Sequence, residues 1–222
     1  MTAMTSMNRR EEKAARRAEV SGAGPVRGEH TPSRFPGVAG SFNLFGEVLL
    51  VGLLVAVGGI LIVTLPAALA AGIHHLRRYL NAEASHQHQF WQDYKKALLP
   101  GLAVGAAGLA LTLLLILDID LARSGALPGG AAIEIIGWLG LAIVAVVLLA
   151  AAGAWTPESG WRAALRSVPA TVAGDIPGAL YLVATAIFVC VVTWALPPLV
   201  IAGLGCAALA VIAIPARRRR AR

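Results

Sequence analysis

Long apolar runs alternate with short polar breaks along the chain, and the lengths of the runs set the architecture. From residue 42 to residue 73 the sequence is apolar apart from Asn43, Glu47 and Thr64. As one helix this run would extend roughly 48 Å at 1.5 Å per residue, whereas a hydrocarbon core of about 30 Å needs only about 20 residues. Gly58-Gly59 and Pro66 interrupt it, and a proline removes a helical hydrogen bond unless it stands in the first turn of a new helix. The pattern therefore predicts a span near 42–63 and a second, shorter helix near 66–80. Further runs predict spans near 96–117, 132–152, 177–196 and 199–214. They are solidly Leu, Val, Ala, Ile and Gly, without the two-residue alternation of a membrane β-barrel. The fold class is all-α, a polytopic transmembrane bundle of about six crossings whose first hairpin is short enough to re-enter, with a short cytoplasmic amphipathic helix.

Local signals refine the helices. Gly101, Gly105 and Gly108 lie at the spacing of a close helix–helix contact face. Thr156 followed by Pro157 reads as an N-cap and first helical residue. After it, Trp161, Leu165 and Val168 share one face beside Arg162 and Arg166, which predicts a helix lying flat at the interface. Pro197-Pro198 marks the last turn between spans.

Composition agrees with lipid as the solvent. A hydrophobic fraction of 57%, a charged fraction of 14% and a mean hydropathy of +0.71 lie outside the range of a soluble domain. The net charge of +7 would suggest nucleic acid in a soluble chain, but the basic residues flank apolar runs and mark topology, so no nucleic-acid partner is expected. If the 66–80 helix crosses, or re-enters far enough to return, every Lys and Arg except Arg123 falls on the cytoplasmic side. The expected layout is a disordered basic tail over 1–41, a transmembrane domain over 42–214 and an Arg-rich tail over 215–222. Both termini are cytoplasmic in a cell (inner) membrane, and the first span is an uncleaved anchor. Trp91, Trp155 and Trp161 are expected at the inner interface and Trp194 at the outer one.

Candidate chemistry is sparse. Glu47 lies about one turn inside the first span, where a carboxylate needs a partner or water, and is the candidate intramembrane polar site. His74, His75, His86 and His88 fall near Glu83 and Asp93 in what reads as an exposed polar loop, and no metal site is assigned to them. Asp118, Asp120 and Glu134 read as solvated helix ends near Arg123. Cys190 and Cys206 lie in apolar runs with no disulfide spacing. No HExxH, Gly-x-Ser-x-Gly or Walker loop is present. No catalytic or cofactor-binding residue is assigned, and the chain is read as no enzyme.

The order of parts resembles the YesL family of bacterial integral membrane proteins. A hydrophobic span runs into Pro66-Ala67-Ala68-Leu69-Ala70, then a basic helix end at Arg77-Arg78, then Phe90, Trp91, Tyr94 and Lys95. The resemblance covers residues 42–214, and the chain departs from the family in its long charged N-terminal tail and Arg-rich end. It implies a small polytopic protein without an established catalytic residue, associated with carbohydrate ABC uptake systems and hence with ABC transporter subunits as partners. The function expected first is that of an accessory component, and the broken first hairpin supplies the alternative. In one, Arg77, Arg78, Phe90, Trp91, Tyr94, Lys95, Trp161 and Arg162 form a cytoplasmic platform that docks a transport protein. In the other, the chain transports a small solute or ion by itself, with the break over 58–66 as its substrate site.

Overall fold

The computed structural model describes residues 36–81, 87–125 and 129–220, with side chains from residue 42 to residue 217. Every contact below belongs to the body Asn43–Arg222. In order, the elements are α1 (Pro36–Gly58), a 3-10 turn (Ile62–Thr64), α2 (Leu65–Leu80), α3 (Gln87–Arg123), α4 (Gly130–Ala154), α5 (Gly160–Gly174), α6 (Ile176–Ala195), a second 3-10 turn (Pro197–Leu199) and α7 (Val200–Arg220). No strand occurs among the described residues. Four segments are long and apolar enough to cross a membrane: α3, α4, α6 and Pro197–Arg217. The apolar part of α1, Phe42–Gly58, is shorter, and α2 has 16 residues.

Several boundaries differ from the expectation. Residues 36–41, placed in the tail, belong to α1, and the tail before them lies outside the described residues. α3 begins at Gln87 and has 37 residues, roughly 55 Å of helix. The aromatic-basic segment is therefore its first turns and not a loop. Thr156 does accept the Ser159 backbone N–H at 3.1 Å, but this closes a turn. Gly160 has a φ of +68°, a left-handed conformation that interrupts helical propagation, and α5 begins there. α7 runs through Pro215 to Arg220, past the expected end of the last span.

α2 is the axis of the body. Pro66, Ala67, Ala68, Leu69, Ala70, Ala71, Gly72, Ile73, His75 and Leu76 are all buried, because this alanine-rich helix lets α1, α3, α4 and α7 close around it. Val51 and Val55 of α1 sit over Gly72, and Ala67 sits over Gly101 of α3. The three spaced glycines of α3 meet three different neighbours: Gly101 the Trp161 indole and Ala67, Gly105 the Val63 carbonyl, Gly108 the Leu148 side chain. α1 and α7 approach through glycine on both sides, Gly52 against the Ile201 carbonyl and Gly205 against the Val48 carbonyl. Such contacts are how helices associate where lipid supplies no hydrophobic drive.

α5 packs inward. Trp161, Ala164 and Val168 are buried, so its apolar face covers the bundle instead of lying on lipid. Trp155 and Trp161 are core residues, 2% and 3% exposed, and not part of an aromatic belt. The outward flanks of α3, α4 and α6 carry exposed Leu113, Leu117, Ile136, Ile143, Leu180 and Ile187, a surface suited to a bilayer.

Candidate functional site

The site begins at the break between α1 and α2. Leaving a helix frees backbone polar groups, and in hydrocarbon these must be satisfied within the protein. Here they are. The Gly59 N–H donates to the Val55 carbonyl at 2.8 Å and the Thr64 N–H to the Leu61 carbonyl at 2.7 Å. The Thr64 hydroxyl lies 2.7 Å from the Gly58 carbonyl and 2.6 Å from that of Leu61, and the Tyr94 hydroxyl donates to Gly58 at 2.7 Å. Ile60, Leu61 and Ile62 at the tip are apolar and exposed. The tip also stops short. The Val63 carbonyl packs on Gly105, and from there α3 continues to Arg123, roughly 27 Å further.

Roughly 15 Å of helix rise back from the break, both arms carry an ionisable side chain. Glu47 Oε1 lies 2.8 Å from His75 Nε2. His75 is 1% exposed, and its Nδ1 is buried without a hydrogen-bond partner. Consecutive helix residues point about 100° apart, so His74 faces α3 instead. Its Nδ1 lies 2.7 Å from Asp93 Oδ2, which also accepts from Arg78 Nη2 at 2.8 Å. Arg78 Nη1 also lies 3.3 Å from His74 Nδ1, so the three side chains form one cluster. The His74 ring meets Trp155 edge-on at 6.3 Å. Arg77 points to α4, donating from Nη2 to the Gly153 carbonyl at 2.9 Å. In the turn before α5, the Glu158 carboxyl is held below its ordinary range. Its own backbone N–H contributes most, followed by the Thr156 side chain, with His74 and Lys96 adding attraction at longer range.

The expected docking residues separate into two groups. Phe90 is fully buried, stacked on Tyr94 at 6.2 Å and edge-on to Trp91 at 5.2 Å. Trp161 donates its indole N–H to the Ala97 carbonyl at 3.0 Å, next to Gly101, whose missing Cβ makes room for the ring. Trp91 and Tyr94 are half-buried, and Arg77 and Arg78 are engaged with α4 and α3 as above. Lys95 and Arg162 remain exposed, with Lys96 and Arg166. The surface is thus basic, and the aromatic anchors are inside.

His74 and His75 are not in a loop, because α2 continues to Leu80. His86 and Glu83 lie outside the described residues, among which no cluster of three metal-ligating side chains occurs. At the far end of α3, Glu134 pairs with Arg123 at 2.6 Å. Arg217 of α7 pairs with Asp175 at 2.8 Å and covers the Tyr181 ring at 4.6 Å, a bridge that spans 42 residues of sequence and was not anticipated. Cys190 and Cys206 are free and exposed. No known protein family, curated protein or solved structure matches the chain.

Proposed function

We propose that the chain is a non-enzymatic membrane transport protein with four crossing helices and one re-entrant hairpin, α1–α2, and that it moves a small solute or ion by itself. Both termini then face the cytoplasm of a cell membrane, with Arg77, Arg78 and Lys95 on that side. The observation that carries this reading is the hairpin. It breaks level with the middle of α3, keeps its backbone satisfied through Thr64 and Tyr94, and holds the ionisable pair Glu47–His75 between its arms. Discontinuous helices recur at the substrate sites of carriers, and buried ionisable side chains in a membrane bundle mark solute or ion pathways. An apolar tip of Ile60, Leu61 and Ile62 suits lipid better than an aqueous loop.

A second reading follows from the YesL-like arrangement, an accessory component beside a carbohydrate ABC permease. The exposed cations Lys95, Lys96, Arg162 and Arg166 favour it, since they would meet an acidic partner surface. Proteoliposomes containing this protein alone test the first reading, with currents recorded as ions, sugars and amino acids are applied in turn. Flux that is lost in Glu47→Gln and His75→Gln supports a carrier. No current with any solute, together with stoichiometric recovery of permease or ATPase subunits from host membranes, would replace it with the accessory reading.

A further inference from the structure

Arg77 is set apart from the other described arginines of the helices: it is half-buried, whereas Arg162 and Arg166 are exposed, and the remaining ones are ion-paired. Arg78 pairs with Asp93, Arg123 with Glu134 and Arg217 with Asp175. Among the described residues, Arg77 has the Gly153 carbonyl and no carboxylate within ion-pair distance. A guanidinium has five donors, and one carbonyl leaves most of them unused. The side chain also lines a cavity of about 160 Å³ between α4, α5, α6 and α7. The remaining walls are mainly apolar, including Val172, Ala179, Leu182, Val211 and Ile214, and Asp175 stands at one side. Asp175 pairs with Arg217, and among the described residues Arg77 is the charged side chain of the lining that has no ion-pair partner.

We infer that this cavity is a binding site for an anionic phospholipid, with its phosphodiester on Arg77 and its glycerol and upper acyl groups against Leu182, Val211 and Ile214. Three features select this occupant. One uncompensated cation matches the single negative charge of a phosphodiester, and guanidinium binds phosphate through paired N–H donors. The walls beyond the charge are hydrocarbon. α6, which supplies Gly178, Ala179 and Leu182 to the wall, also carries exposed Ile176 and Leu180, a flank suited to lipid from which a membrane amphiphile would enter. The site does not depend on the chain being a carrier.

The test uses the full-length protein, delipidated in maltoside detergent, with native mass spectrometry and thermal unfolding as readouts. Phosphatidylglycerol should bind and raise the melting temperature, with at least ten-fold preference over phosphatidylcholine. Arg77→Gln should abolish that preference, and Arg77→Lys should retain part of it. Ala179→Leu, which fills the cavity and keeps the arginine, should also lose binding, so the outcome does not hang on whether Arg77→Gln folds. Arg162→Gln, on the exposed surface, should bind as the parent does. Equal binding of the two lipids, or phosphatidylglycerol binding that survives both Arg77→Gln and Ala179→Leu, overturns the inference. Inorganic phosphate binding as tightly as phosphatidylglycerol would also overturn it, in favour of a soluble-anion site.

Discussion

His75 Nε2 lies 2.8 Å from Glu47 Oε1, joining the two arms of the broken hairpin at one height. Removing the imidazole leaves a carboxylate without its partner, which costs about 1–3 kcal/mol. His75→Ala should therefore lower stability in detergent by that amount. Glu47→Gln keeps an acceptor for Nε2–H and should cost less. Thermal unfolding of the two variants decides, and an equal loss in both would show that the pair does not tie the arms.

Two glycines of α7, one turn-half apart, should respond oppositely to a methyl group. At Gly205 the added carbon strikes the Val48 carbonyl, whereas at Gly203 it meets Val189 at an ordinary 3.6 Å. Overpacking against backbone costs about 1–3 kcal/mol. Gly205→Ala should destabilise the bundle and Gly203→Ala should be near neutral, measured by thermal or denaturant unfolding in micelles.

Thr64 and Tyr94 converge on the Gly58 carbonyl, so their contributions should not add. A double-mutant cycle of Thr64→Val and Tyr94→Phe is expected to show a coupling energy above about 0.5 kcal/mol. Additive losses would mean that each hydroxyl acts on its own part of the break.

The re-entrant arrangement separates from six crossings at the tip. With Cys190 and Cys206 replaced by alanine, Ser124→Cys should react with an impermeant maleimide in intact cells. Arg162→Cys should react only after permeabilisation. Leu61→Cys should react with the reagent from neither side. Labelling of Leu61→Cys in intact cells would place the tip at the outer surface and restore six crossings.

Much of the helical frame is legible in the chain. Gly58-Gly59 and Pro66 announce the break because both resist helix propagation, and the glycines of α3 announce contact because they lack side chains. Their partners are not legible, since Trp161, Val63 and Leu148 come from three separate segments. Phe90 and Trp161 read as surface anchors because aromatics beside Lys and Arg are typical of an interface. Phe90 lies near Gly72 of α2 and Trp161 is buried against Ala97 and Gly101 of α3, long-range packing that no local pattern encodes. The Glu47–His75 pair had a usable signal. Each residue stands roughly 15 Å of rise from the break, so an antiparallel hairpin brings a lone Glu and a lone buried His to the same level. The misplacement of His74 and His75 in a loop hid that geometry.

The wall around α2 also orders its biosynthesis. α1 is made before α2, and α3 and α4 soon after it, but α7, which packs on α2 as well, leaves the ribosome later than all of them. Until then α2, with two histidines and two arginines in its second half, has an open side in the nascent membrane protein. A chain truncated before Val200 should keep its hydrophobic segments inserted and yet be degraded by membrane quality-control proteases, because α7 completes the seat of α2.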